Sequence, residues 1–126
     1  MTAATSKRIL VVEDDDDLRR LFRIALTLEG FLVDEARSGV DALRQFEHQP
    51  DLVVLDLFLP GIDGFGVLEE ISGQGGQPTP IVIVTSSGRD LSGLEVSCVL
   101  RKPVTPAELV ATVRRCLASG AGAEGA

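Results

Sequence analysis

A chain of 126 residues, 44% hydrophobic and 25% charged, has the makings of one domain with a real core and excludes a fibrous or low-complexity body. Its 12 Lys+Arg against 19 Asp+Glu leave a net charge of −7, a surface that repels nucleic acid and anionic membrane and argues against direct DNA binding. No uncharged apolar run is long enough to span a bilayer and no signal-peptide pattern opens the chain, so a cytoplasmic location is expected.

Residues 1–6 form a polar lead-in, after which Ile9-Leu10-Val11-Val12 reads as a buried strand ending in Glu13-Asp14-Asp15-Asp16-Asp17. Leu18, Leu21, Phe22, Ala25 and Leu28 recur at helical spacing, and Gly30 supplies the left-handed cap that ends such a helix. Phe31 to Ala36 reads as a second strand. Val40, Leu43 and Phe46 mark the inner face of a second helix, closed by Pro50. Leu52-Val53-Val54-Leu55 is a strand buried on both faces, and it ends, against that pattern, in Asp56. Phe65, Leu68 and Ile71 outline a third helix, and Ile81 to Thr85 is a fourth strand. Only ten residues, Ser86 to Glu95, precede the fifth strand, Val96 to Leu100, so a fourth helix there is short or missing. Thr105-Pro106-Ala107-Glu108 has the form of a capping box with Pro at the first helical position, and Leu109, Val113, Cys116 and Leu117 carry the inner face of the last helix. Residues 7–118 make the domain, and 119–126 read as a flexible Gly/Ala tail, with no DNA-binding or enzymatic segment expected after 118. Cys98 and Cys116 have neither metal-site spacing nor disulfide density and read as small buried hydrophobes.

Strands alternating with helices predict an α/β fold, a parallel sheet with helices on both faces. In such a sheet all strands end on one edge, so Glu13, Asp14, Asp56, Thr85 and Lys102 should gather there. Three gathered carboxylates raise one another's pKa unless a cation neutralises them, and oxygen ligands without His or Cys favour a hard ion such as Mg²⁺. An ammonium and a hydroxyl facing a metal-bound carboxylate suit a transferring phosphoryl group, with Asp56 as nucleophile. Asp15, Asp16 and Asp17 read instead as a helix cap and its first turn.

The run Ile9-Leu10-Val11-Val12-Glu13-Asp14, then Asp56 with Pro60-Gly61 and Asp63-Gly64, then Thr85, then Lys102-Pro103, resembles the receiver domain of two-component response regulators over about residues 7–118. The resemblance implies a flavodoxin-like, doubly wound sheet of five parallel strands in the order 2-1-3-4-5. It implies that Asp56 accepts a phosphoryl group from the phosphohistidine of a histidine kinase or phosphotransfer protein, and that a downstream protein target reads the result. It further implies that Glu13, Asp14, Asp56 and the backbone carbonyl of Phe58 hold Mg²⁺. Lys102 would pair with the phosphoryl oxygens, its bond to Pro103 often being cis, and Thr85 would turn its hydroxyl onto the phosphoryl group. His48, the sole histidine, is expected at the surface.

Two departures from the family pattern stand out. Val99 occupies the place, three residues before the Lys, where receivers usually carry Tyr or Phe, and the Thr85–Lys102 segment is shorter than usual by more than a helical turn. The leading expectation is a phosphorylation switch acting through protein–protein contacts. The alternatives are a receiver-fold adaptor indifferent to phosphorylation and, more weakly, a Mg²⁺-dependent phosphohydrolase. Phe58, two residues after Asp56, offers no hydrogen bond to a hydrolytic water, which predicts a comparatively long-lived acyl phosphate.

Overall fold

The computed structural model describes residues 6–57, 66–67, 70, 79–86 and 98–125, with 119–125 as backbone alone. Five strands, β1 (Arg8–Val12), β2 (Leu32–Ala36), β3 (Leu52–Asp56), β4 (Ile81–Thr85) and β5 (Cys98–Arg101), form one sheet in the order β2-β1-β3-β4-β5. Every pairing in it is parallel. The described residues hold three α-helices, α1 (Asp16–Leu28), α2 (Gly39–Gln45) and α3 (Pro106–Gly125), with a 3₁₀ turn at Phe46–His48. Among the predicted third-helix positions, Phe65, Leu68 and Ile71 lie outside the described residues, although Val67 between them is helical and buried. Most of the stretch expected to hold a short or missing fourth helix also lies outside them.

The alternation of each strand builds two cores. Leu10, Val12, Val53, Leu55, Ile81 and Ile83 face one side of the sheet, where Ala42, Leu43 and Phe46 cover them. Ile9, Val11, Leu52, Val54, Val82 and Val84 face the other, packed against Phe22 and Leu26 of α1 and Leu109, Val113 and Cys116 of α3. A strand flanked by helices on both faces needs no polar position, which is why β3 and β4 read as continuous apolar runs.

Local signals set the ends of the helices. The Asp15 side chain accepts from Leu18 N–H at 2.9 Å and caps α1, as the reading of its acidic run expects. Gly30 follows α1 with φ +95°, the left-handed region that favours glycine. The capping box of α3 is formed in both directions: Glu108 N–H donates to Thr105 Oγ1 at 3.1 Å, and Thr105 N–H to Glu108 Oε1 at 2.9 Å. Three details differ from the sequence reading. Leu21, Leu28 and Val40 are exposed, the burying positions of α1 being Phe22 and Leu26. Cys98 is half-buried, whereas Cys116 is buried as expected. Helical backbone also continues to Gly125 through the segment expected as a tail; alanines, the best helix formers, alternate there with glycine, and no proline stops the helix.

Candidate functional site

Parallel pairing brings the ends of β1, β3, β4 and β5 to one edge, and the register decides which residues meet there. Val12 lies opposite Leu55, Asp56 opposite Val84, and Thr85 opposite Arg101. Glu13, Asp56, Thr85 and Lys102 therefore sit at or one residue past the last paired position of their strands. Burial sorts them further: Glu13, Asp56 and Thr85 are 1%, 4% and 0% exposed. Lys102 is half-buried and Asp14 exposed. The Lys102 N–H donates to the Thr85 carbonyl at 2.9 Å, which fixes where the lysine side chain starts, and the Lys102–Pro103 bond is cis.

The lysine reaches back across the edge. Its Nζ donates to Asp56 Oδ2 at 3.2 Å and lies 3.2 Å from Glu13 Oε1. Glu13 Oε2 accepts from Asp15 N–H at 3.1 Å. Glu13 Oε1, however, accepts no hydrogen bond among the described residues, although it is fully buried; its one compensation is the ion pair with Lys102. Burial above all pushes the Glu13 carboxyl up to about 7; the Asp15 N–H opposes that rise, the Asp56 charge adds to it, and Lys102 opposes it again. For Lys102, burial alone would pull the ammonium down, but the charges of Glu13 and Asp56 outweigh burial and hold it above the ordinary lysine value.

Ligand oxygens from Glu13, Asp14 and Asp56 lie within 4.8 Å of one another. Among the described residues, the Lys102 ammonium is shared by Glu13 and Asp56, and the buried Glu13 Oε1 accepts no hydrogen bond. All-oxygen ligands, more negative than positive charge and an orphaned buried oxygen fit a hard divalent cation. Phe58, whose carbonyl the sequence reading adds to the set, lies outside the described residues.

One contact to the acidic pair had no sequence signal of its own. Arg19, on α1, donates from Nη1 to the Glu13 carbonyl at 2.9 Å, and from Nη2 and Nε to Asp16 and Glu35. One of three arginines on an amphipathic helix reads as a solvated charge; only the topology shows that Arg19 lies over the end of β1. His48 is at the surface as expected, with Nδ1 3.5 Å from Asp34 Oδ2. Val99 is 37% exposed on β5.

Residues 9–114 match the family model of the response regulator receiver domain. The chain belongs to that family. Among curated relatives, the receiver is 39% identical over 118 residues to transcriptional regulatory protein AfsQ1 of Streptomyces coelicolor, covering 89% of this chain and 52% of that protein. It is 35% identical over 123 residues to transcriptional regulatory protein ResD of Bacillus subtilis, covering 93% and 50%. The receiver thus spans about half the length of the curated relatives it matches. Among solved structures, chemotaxis response regulator CheY4 of Vibrio cholerae superposes with a TM-score of 0.82 over 88% of this chain and 98% of that one. At 24% identity this likeness supports the fold alone. No helix among the described residues is long and apolar enough to cross a membrane.

Proposed function

We propose that this receiver is a phosphorylation switch in which Asp56 takes a phosphoryl group from a phosphohistidine. The observation that carries the reading is the buried Asp56 carboxylate at the end of β3, held by Lys102 Nζ at 3.2 Å beside Glu13 and Asp14. In the transfer, an Asp56 carboxylate oxygen forms the new bond to phosphorus as the phosphorus–nitrogen bond of the donor breaks. The imidazole leaves with that electron pair and takes up a proton. Lys102, already in contact with Asp56, moves its charge onto the phosphoryl oxygens, and Thr85, buried at the end of β4, supplies a hydroxyl to the same group. Mg²⁺ held by Glu13, Asp14 and Asp56, together with the Phe58 carbonyl, would neutralise charge on both the carboxylates and the phosphoryl oxygens.

The proposed phosphodonor is a histidine kinase or phosphotransfer protein. A cleft lined by Leu18, Leu21, Pro103 and Val104 together with Asp15, Asp17 and Lys102 supports docking of such a partner, because Lys102 also contacts the reacting carboxylate. The output is a change in affinity for a protein target in the cytoplasm. The receiver-fold adaptor is the second reading, and the small, partly exposed Val99 on β5 favours it, because a valine cannot make the ring rotation that reports phosphorylation elsewhere in the family. Partner affinity of wild type and Asp56→Asn separates the two readings. A phosphorylation switch gives a phosphodonor-dependent affinity that Asp56→Asn abolishes, whereas equal affinity for both proteins, with and without donor, would leave the adaptor.

A further inference from the structure

We infer that Arg19 is a positioning residue for the acidic pair, its guanidinium clamping the peptide that joins Glu13 to Asp14. The inference rests on the reading of these carboxylates as the cation site. The clamp uses all three edges of the guanidinium. Nη1 donates to the Glu13 carbonyl at 2.9 Å, Nη2 to Asp16 Oδ1 at 2.6 Å, and Nε to Glu35 Oε1 at 3.2 Å. These acceptors belong to the end of β1, the first turn of α1, and β2. With its side chain 13% exposed, Arg19 is held between helix and sheet and is not waving in solvent.

The contact matters because of what else holds Glu13. The Glu13 N–H donates to the Ala36 carbonyl at 3.0 Å, tying that side of the residue to β2. Its Oε2 is tied to Asp15 N–H at 3.1 Å. The carbonyl is the remaining degree of freedom, and its peptide plane sets the direction in which the next residue, the exposed Asp14, leaves the strand. A planar, five-donor fork with little rotamer freedom left suits this task, and an ammonium, whose three donors radiate from one nitrogen, cannot reach acceptors spread over the three nitrogens of a guanidinium. Groups that orient metal ligands contribute strongly to metal affinity without touching the ion. Arg37 Nη2 donates to the same Asp16 oxygen at 2.8 Å, and Arg23 Nε pairs with the other oxygen of Glu35 at 3.0 Å. Arg23 is therefore a neighbour of like charge in the same network, and among the described residues its ion pair is to Glu35.

The experiment compares the full chain as wild type, Arg19→Ala, Arg19→Lys and Arg23→Ala. Backbone amide NMR is recorded first without divalent cation and then through a Mg²⁺ titration. The clamp predicts that the Asp14 amide moves in both Arg19 variants and stays in place in Arg23→Ala. It predicts Mg²⁺ binding weaker by about 10- to 100-fold in Arg19→Ala, several-fold weaker in Arg19→Lys, and within about twofold of wild type in Arg23→Ala. An unmoved Asp14 amide with unchanged affinity in Arg19→Ala would overturn the inference, and so would an equal loss in Arg23→Ala, which would assign the effect to net charge. Should Arg19→Ala give no folded spectrum, Arg19→Lys decides, and wild-type behaviour of that variant rejects the clamp. If wild type itself took up no Mg²⁺, the cation-site reading would fall, while the cation-free Asp14 amide would still decide for or against the clamp.

Discussion

Replacing Glu13 by Gln turns the buried carboxylate into a measurable pH dependence of stability. In the folded chain without cation, burial raises the Glu13 pKa from 4.5 to about 7. The folded state therefore holds this proton more tightly than the unfolded state does. The stabilisation is complete below the unfolded value and is lost as pH rises through the folded one. At about 1.4 kcal/mol for each tenfold change in proton affinity, the whole displacement amounts to on the order of 3 kcal/mol. Most of it falls between about pH 5 and pH 8. Glutamine keeps an oxygen to accept from Asp15 N–H but carries no charge to desolvate. The two proteins, unfolded in urea with a chelator present across that range, should diverge by about 2 to 3 kcal/mol, Glu13→Gln gaining relative to wild type as pH rises. Their other carboxylates are shared, so the difference reports Glu13 together with its coupling to Asp56 and Lys102. Mg²⁺ added at the alkaline end should stabilise wild type and do much less for the variant. Stability curves that run parallel across the range would refute the reasoning.

Thr105→Ala removes one half of the capping box that opens α3 and should cost about 1 kcal/mol in urea unfolding, leaving phosphoacceptance intact. Gly30→Ala puts a side chain at φ +95° with no neighbouring atom to clash with it, so the cost is conformational. After the entropy removed from the unfolded chain is offset, about 1 kcal/mol of destabilisation should remain. Phe58→Asn introduces a group able to orient water two residues after the acceptor, and loss of the acyl phosphate, followed by the decay of phosphoprotein, should be faster than in wild type; an unchanged rate would reject the role given to Phe58.

The sheet edge was legible because a parallel α/β sheet obeys a simple grammar. Where both faces of a strand are covered, its residues are apolar, and the first polar residue marks the end; Glu13 after Val12 and Asp56 after Leu55 follow from that, while Lys102 comes one residue after the polar Arg101 on the half-exposed edge strand β5. The cap at Thr105 came from an equally local signal, whereas the strand order came only from the family resemblance. Periodicity did less well on the helices. Leu21, Leu28 and Val40 fit the apolar spacing yet lie outside, because the sheet takes up only the Phe22–Leu26 side of α1 and α2 is only seven residues long. Composition gave no sign that the backbone of the last helix continues through the glycine-rich stretch to Gly125. The different burial of the adjacent Glu13 and Asp14, and the reach of Arg19 to the Glu13 carbonyl, depend on three elements meeting at one point. No pattern within α1 alone encodes that meeting.

The central claim is tested most directly by locating the phosphoryl group. The full chain is incubated with acetyl phosphate and Mg²⁺, any aspartyl phosphate is reduced with borohydride to homoserine, and the product is mapped by peptide mass spectrometry. Homoserine at position 56, dependent on Mg²⁺ and abolished by Asp56→Asn, is the predicted result. Homoserine at another aspartate, or none after incubation with a phosphorylated phosphotransfer protein as well, would contradict the account.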